Sequence, residues 1–160
     1  MKFCIASEAI FDTMLTITKS IKIRKPKEEV YRLIKDMEDF SNFMRDIKSL
    51  KVIKKLNANQ MITEWKIEIA GTLLKWREED CFDNDNFRIN FNMLEGNYKE
   101  YHGYWLLQNS MPGSKLTIEA NFDWGLPLLE KFIGNVLENR ARGTLSAMLR
   151  AIKNKAENKI

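Results

Sequence analysis

Two acidic side chains in the segment from Trp76 to Asp80 have a spacing that suits acid and base chemistry. Successive side chains of an extended strand point to opposite faces, so Trp76, Glu78 and Asp80 share one face. If Trp76 faces the interior, both carboxyl groups are enclosed with it, and burial raises the pKa of a carboxylic acid. A raised pKa suits proton transfer near neutral pH. The alternative is that both acids reach solvent at the strand end or pair with a basic residue.

Arg140 is the basic residue that could neutralise this acid pair. It follows Val136 by four residues within an apolar stripe, and from there its guanidinium group either reaches the carboxylates or extends to solvent. We therefore treat Glu78, Asp80 and Arg140 as the candidate catalytic residues. His102, the only histidine, falls on the outward face of its predicted strand, and no acid or nucleophile stands at a catalytic spacing from it. A surface role is favoured for this histidine.

Aromatic and large apolar side chains recur on the inward faces of the predicted strands, and they are the candidate ligand contacts. Gly103 lies between Tyr101 and Trp105, where the missing side chain either opens volume beside two rings or relieves crowding. Gly96 is assigned to a turn that needs a positive φ. We expect an internal void close to Trp105 and Phe132. The full candidate binding set is Trp65, Trp76, Phe91, Met93, Tyr101, Trp105, Phe122, Trp124, Phe132 and Val136.

Period-two patterning predicts the strands that must position these residues. Apolar residues stand at odd positions between Leu15 and Ile23, as in a half-buried strand. Six further segments with this period occupy residues 47 to 124, separated by short stretches rich in Asn, Asp, Gly and Pro. Connections this short cannot form parallel crossovers, so the strands are expected to pair as an antiparallel meander.

Helical spacing occurs before and after this meander. Pro26 opens an amphipathic helix, and a second short helix is expected near residues 40 to 44. Pro127 opens a long stretch in which apolar residues recur at intervals of three and four. The predicted fold class is therefore α+β, with a seven-stranded antiparallel curved sheet wrapped around a long C-terminal helix and two short helices between strands 1 and 2. A sheet that curls around one helix leaves a concave space that suits a ligand.

Length and composition are those of one globular domain. The chain has 160 residues, and no apolar run approaches the length that would cross a bilayer. We expect residues 1–14 to be an N-terminal extension and residues 15–158 to be the single domain. The first residues lack the features of a secretory signal, so cytoplasmic localisation is expected.

Charge and cysteine content exclude several classes of site. The net charge of +4 is modest, and the lysines are not interleaved with aromatic residues, so no nucleic-acid partner is expected. Cys4 and Cys81 match no metal spacing and are expected to be reduced. The sequence has no phosphate-binding glycine loop and no nucleophile triad, so neither a cofactor nor a metal is predicted.

Three stretches of the chain carry a resemblance to a known family. They are SIKIRKPKEEVYRLIKDMEDFSNFM, EWKIEIAGTLLKWREEDCFD and INFNMLEGNYKEYHGYWLL, and the long closing helix follows them. Together they resemble the polyketide cyclase/dehydrase branch of the SRPBCC, or START-like, superfamily over residues 15 to 152. The resemblance implies a helix-grip fold, the same architecture that the order of elements predicts.

The resemblance also implies a function. It points to a hydrophobic ligand, aromatic or polyketide-like, in an internal cavity, with polyketide aromatase/cyclase or dehydratase activity as a candidate. A polyketide bound to an acyl-carrier protein is one candidate partner. Two alternatives stay open: a non-catalytic carrier or chaperone of a quinone or lipid, and a ribosome-associated interaction protein.

One position departs from the aromatase/cyclase pattern. In aromatase/cyclases of the family, an arginine follows the strand tryptophan by four residues and orients the carbonyl groups of the substrate. This chain has Asp80 at that distance from Trp76. The difference argues against direct transfer of the cyclase mechanism unless Arg140 compensates for it.

Overall fold

The computed structural model describes residues 14–69, 71–125 and 127–158, with side chains described outside 127–134. The described elements agree with the predicted order. They are β1 (Leu15–Ile23), α1 (Lys27–Lys35), α2 (Phe40–Phe43), β2 (Ile47–Asn57), β3 (Gln60–Ile69), β4 (Thr72–Asp83), β5 (Arg88–Gly96), β6 (Glu100–Ser110), β7 (Gly113–Asp123) and α3 (Pro127–Ala156). A short 3-10 turn, Met37–Asp39, joins α1 to α2. The predicted helix-grip fold is confirmed.

The described strands form one seven-stranded antiparallel sheet in the order β1-β7-β6-β5-β4-β3-β2. From β2 to β7 each strand pairs with its neighbour in sequence, as the short connections require. β1 joins the sheet by pairing with β7. Register shifts interrupt the β2–β3 and β4–β5 ladders in this half of the sheet, and irregularities of this kind favour bending of a strand.

α3 is attached to the sheet on one side. It packs chiefly against β1 and α1. Near its C-terminal end, Lys153 Nζ donates a hydrogen bond to the backbone oxygen of Lys22 at 2.6 Å, and the Arg24 N–H donates to Glu157 Oε1 at 2.8 Å. Two cavities separate the other side of α3 from α2, β3 and β4.

Two glycines permit close contacts between neighbouring strands. Gly96 pairs with Trp76 across the β4–β5 ladder, and a Cβ on this glycine would collide with the Cβ of Trp76. Its φ is not positive, so the expectation of a positive-φ turn at Gly96 is wrong. A Cβ on Gly103 would lie 2.7 Å from the ring of Phe91 and would collide with the backbone of Glu119. Gly103 therefore relieves crowding and opens no volume.

Two further expectations concern cysteine and the membrane. Cys81 in β4 is disulfide-bonded, so the expectation of a reduced thiol at this position is wrong. Cys4 lies outside the described residues. Among the described helices, none combines the length and the apolar composition that a membrane span requires. Residues 1–13 of the expected N-terminal extension lie outside the described part of the chain.

Candidate ligand-binding site

An apolar cavity of about 280 Å³ lies between α3 and the β3–β4 part of the sheet. We call it the aromatic cavity, because five of its lining side chains carry aromatic rings on the strands or at their ends: Trp65, Trp76, Tyr101, Phe122 and Trp124. Tyr98 adds a sixth ring from the β5–β6 connection. The remaining lining residues are Ile67, Ile69, Thr72, Leu74, Asn97, Leu137, Arg140, Ala141, Thr144, Leu145 and Met148. A cavity of this size is near the lower limit for small-molecule pockets.

The periodicities of strand and helix explain how these residues reach one space. Residues two apart in a strand share a face, which places Trp65, Ile67 and Ile69 of β3 together. The ladder then sets Trp65 beside Trp76 and Ile67 beside Leu74 on β4. On α3, lining residues recur at intervals of three and four from Leu137 to Met148, so they form one stripe that faces the sheet.

The aromatic rings of the cavity wall pack against one another. Trp65 and Trp76 stack with centroids 5.5 Å apart and 11° between their planes. Tyr101 meets Trp76 edge to face at 5.6 Å, and it stacks on Phe122 at 4.9 Å. Phe122 in turn stacks on Trp124 at 5.5 Å. Because each ring packs against its neighbours, the rings form one continuous apolar wall.

A buried polar network lies behind the two stacked indoles. Trp76 Nε1 donates a hydrogen bond to Glu78 Oε2 at 2.5 Å. Trp65 Nε1 donates to Thr63 Oγ1 at 3.0 Å, and that hydroxyl donates to Asp80 Oδ2 at 2.6 Å. Asp80 Oδ1 has no hydrogen-bond partner among the described residues. Each indole N–H is therefore held, directly or through Thr63, by one of the two acids.

The acids are enclosed completely, and their pKa values reflect this. Glu78 is 2% exposed and Asp80 is 0% exposed. Burial raises the pKa of Asp80 to about 7, against the opposing effect of its hydrogen bond from Thr63. Burial, followed by the negative charge of Asp80, raises the pKa of Glu78 well above its ordinary value. Near neutral pH the pair therefore retains at least one proton.

The structure separates the three candidate catalytic residues. Glu78 and Asp80 face inward with Trp76, but the described lining of the aromatic cavity includes neither of them. Arg140 does line the cavity, at an exposed position on α3. No ion pair joins Arg140 to a described residue, so it is not the partner of the acid pair.

The candidate ligand contacts fall into two groups. Trp65, Trp76, Tyr101, Phe122 and Trp124 line the cavity. Four others lie outside its described lining: Phe91, Met93, Trp105 and Val136. Trp105 is 4% exposed within the packed core, so the void lies away from its expected place beside this residue. The side chain of Phe132 is outside the described residues.

Sequence reasoning missed several lining residues, although a signal existed for some of them. Extending the alternation that marks Trp65 and Trp76 would have included Ile67, Ile69 and Leu74. The helical stripe would likewise have included the lining residues Leu137, Ala141, Leu145 and Met148. Asn97 and Tyr98 lie in the connection after β5, where no periodicity marks which side chain turns inward.

Residues 23–149 match the family model described as polyketide cyclase/dehydrase and lipid transport. No curated protein matches the sequence significantly.

Solved structures share the fold at low sequence identity. The protein TTHA0849 of Thermus thermophilus has a TM-score of 0.82 at 21% identity, with 91% of this chain and 97% of that chain covered. The Zhui aromatase/cyclase of a Streptomyces species has a TM-score of 0.81 at 15% identity, with coverage of 91% and 95%. A START superfamily protein of Mycobacterium smegmatis has a TM-score of 0.77 at 15% identity, with coverage of 91% and 99%.

Proposed function

Because the chain belongs to the polyketide cyclase/dehydrase and lipid transport family of the START-like superfamily, we propose that it binds a hydrophobic small molecule in the aromatic cavity. The observation that carries the proposal is the stacked pair Trp65 and Trp76 in the wall of a mostly apolar cavity. Apolar concave sites with a few polar groups are the usual form of a small-molecule site. Stacked indoles favour a guest with a flat, aromatic or conjugated part.

The polar groups of the cavity indicate what such a guest carries. Arg140 supplies a guanidinium group without a described ion pair, and guanidinium groups are donors only. Burial raises the pKa of Tyr98 and of Tyr101 above the ordinary tyrosine value, so both hydroxyls keep their protons at neutral pH. Donors such as these around a mostly apolar space suit a guest with carbonyl oxygens, such as a quinone or an aromatic polyketide.

Binding is better supported than proton transfer by the acid pair. The indoles of Trp65 and Trp76 stand between the cavity and the carboxyl groups that their N–H groups contact. A general acid must reach the reacting atom directly or through one water molecule. We therefore assign Glu78 and Asp80 a positioning role toward the indoles.

Aromatase/cyclase or dehydratase chemistry is the second candidate, and Arg140 is the residue that favours it. Arg140 and Tyr101 line the same cavity, so together they would orient the carbonyl groups of a polyketide, free or attached to an acyl-carrier protein. Holding reacting groups in a productive geometry lowers a barrier by several kcal/mol, on the order of 7 to 11 in the best cases. A carrier of a quinone or lipid would need the same cavity and no turnover.

The test of binding uses N-phenylnaphthylamine, a neutral probe whose fluorescence rises in apolar surroundings. Wild-type protein should bind it, and Ala141→Phe should abolish binding because Ala141 is 5% exposed and lines the cavity. Asn139→Phe is the matched control, since the same ring is added at an exposed position outside the described lining. Equal binding by wild type and Ala141→Phe would remove the proposal.

A second experiment separates turnover from carriage. Native mass spectrometry of the freshly purified protein should show a bound hydrophobic molecule if the protein is a carrier. Co-incubation with a polyketide synthase should change the product profile if the protein is a cyclase, and Arg140→Gln should reverse that change. An unaltered profile would exclude the second candidate for that substrate.

A further inference from the structure

A second cavity, of about 690 Å³, adjoins the aromatic cavity along the C-terminal half of α3. It lies between α3, α2 and the first residues of β2. Three residues, Ile67, Thr144 and Met148, line both cavities. The partition is therefore made of a few side chains, and one of them is an unbranched methionine that adapts easily to its surroundings.

The second cavity has an apolar floor and a basic rim, and we call it the basic cavity. Its apolar part is formed by Phe43, Met44, Ile47, Ile67, Ala147, Met148 and Ala151. Arg45, Arg150 and Lys155 contribute three positive charges, and Asp46 is the one acid among the described residues that line it. The surplus of positive charge stands beside apolar surface, a combination that suits an amphipathic anion.

The two arginines are the groups available to such an anion. Lys155 is engaged by Asp39, with Nζ and Oδ2 3.7 Å apart, and it also lies over the ring of Phe43. Arg45 and Arg150 are exposed, and within the described part of the chain neither forms an ion pair. A free guanidinium group offers two parallel N–H donors to a carboxylate or a phosphate.

We propose that the basic cavity binds the anionic end of an elongated amphiphile whose apolar body occupies the aromatic cavity. The inference rests on the proposed function, and it adds the class of guest: a molecule with a chain or ring system at one end and an oxyanion at the other. The stripe of α3 from Arg140 to Arg150 spans about 15 Å of helix axis at 1.5 Å per residue. A guest of this length passes the partition at Met148 and reaches both sites.

The test compares three probes that share one alkyl chain: dodecanoate, dodecyl phosphate and the neutral dodecanol. Each is titrated against protein loaded with N-phenylnaphthylamine, and its displacement gives an apparent Kd. The test variant is the double substitution Arg45→Gln and Arg150→Gln. The matched control, Lys51→Gln with Lys54→Gln, removes the same charge at exposed positions of β2 outside both cavities.

In the test variant, we expect dodecanoate or dodecyl phosphate to bind about tenfold more weakly, the loss that accompanies one charge-assisted hydrogen bond. The apparent Kd of dodecanol should change by less than about twofold, and the control variant should bind all three probes as wild type does. A loss confined to dodecanoate would assign a carboxylate guest, and a loss confined to dodecyl phosphate would assign a phosphate guest. An equal loss for dodecanol, or an equal loss in the control, would overturn the inference.

Filling the basic cavity gives an independent measurement of location. Ala151 lines this cavity and is absent from the described lining of the aromatic cavity. Ala151→Phe should lower the affinity for the anionic probe and leave the binding of N-phenylnaphthylamine unchanged. Suppose that wild type binds N-phenylnaphthylamine and dodecanol, but that neither the double arginine substitution nor Ala151→Phe changes the affinity for the anionic probes. Only this inference then fails. If wild type binds no probe at all, the proposed function fails with it.

Discussion

Trp65 and Trp76 stack across the β3–β4 ladder, and their N–H groups are held by the two members of one buried acid pair. Trp76 donates directly to Glu78, and Trp65 reaches Asp80 through Thr63. The wall of the aromatic cavity and the acids behind it are therefore one unit. The protonation of the acids and the order of the wall must depend on each other.

The first prediction concerns stability and pH. Burial raises the pKa of Asp80 to about 7, whereas an unfolded aspartate ionises near its ordinary pKa of about 4. The unfolded chain therefore releases this proton first, and the free energy of unfolding should fall as pH rises from about 4 to about 7. The fall is about 1.4 kcal/mol for each unit of pKa difference.

Urea denaturation at a series of pH values measures this dependence. Asp80→Asn keeps an oxygen that accepts from Thr63 and carries no titrating proton, so it should make the fall in this window smaller. The fall that remains belongs to Glu78, because burial raises the pKa of that carboxyl as well. Glu95→Gln, at a position 67% exposed on β5, is the control and should follow wild type. A wild-type stability that rises between pH 4 and 7 would contradict the assignment of a raised pKa.

The second prediction concerns the bond between Trp76 and Glu78. Trp76→Phe keeps a ring in the wall but removes the donor to Glu78, which leaves a buried oxygen unsatisfied at a cost of about 1 to 3 kcal/mol. Adding Glu78→Leu should recover part of that loss, since the orphaned acid is then gone. A double-mutant cycle in urea gives the coupling energy, and strict additivity of the two substitutions would show that the bond does not contribute.

The third prediction concerns Gly96. Gly96→Ala should destabilise the protein by about 1 to 3 kcal/mol, as overpacking does, because its Cβ would meet the Cβ of Trp76. Gly143→Ala is the contrasting substitution, since nothing lies within 4 Å of an added Cβ there. On a helix it should stabilise by about 1 kcal/mol. Thermal unfolding of both variants measures the difference, and a Gly96→Ala variant that unfolds at or above the wild-type temperature would contradict the contact with Trp76.

The fourth prediction concerns Arg140. If its guanidinium group donates to a carbonyl oxygen of the guest, Arg140→Gln should lower the affinity for a naphthoquinone by about tenfold. That is the loss expected for one charge-assisted hydrogen bond. The affinity for N-phenylnaphthylamine, which lacks a carbonyl group, should stay within about twofold of wild type. Arg142→Gln is the matched control, because Arg142 pairs with Glu138 at 2.7 Å and is not in the described lining. Equal losses for both probes would assign Arg140 to packing.

The sequence was informative wherever one period extends through a whole element. Alternation along β4 predicted that Trp76, Glu78 and Asp80 share one face, and all three are buried there. The short connections also predicted the antiparallel meander. The stripe on α3 likewise predicted a helix that lies against a sheet. These features depend on the geometry within one strand, helix or turn, and the order of residues in the sequence reflects that geometry.

The position of the cavity depends on tertiary structure, which the periods do not contain. Trp105 obeys the same alternation as Trp76, but its strand β6 is covered by α1, and Trp105 is buried in the core. The helix α3 is attached at β1 and α1. It therefore stands away from the sheet on its other side, where the cavities lie. The role of the acid pair was also hidden, because alternation predicts the face of Glu78 but not that an indole covers it.

The one-sided attachment of α3 has a consequence for how this scaffold changes over time. The side of α3 that packs against β1 and α1 differs from the side that lines the two cavities, so attachment of the helix and the shape of the cavities are separable. Ala141 and Ala151 line the cavities, and the hydrogen bond from Lys153 to the backbone of Lys22 in β1 involves neither of them. Specificity is thus able to drift under selection while the architecture is retained.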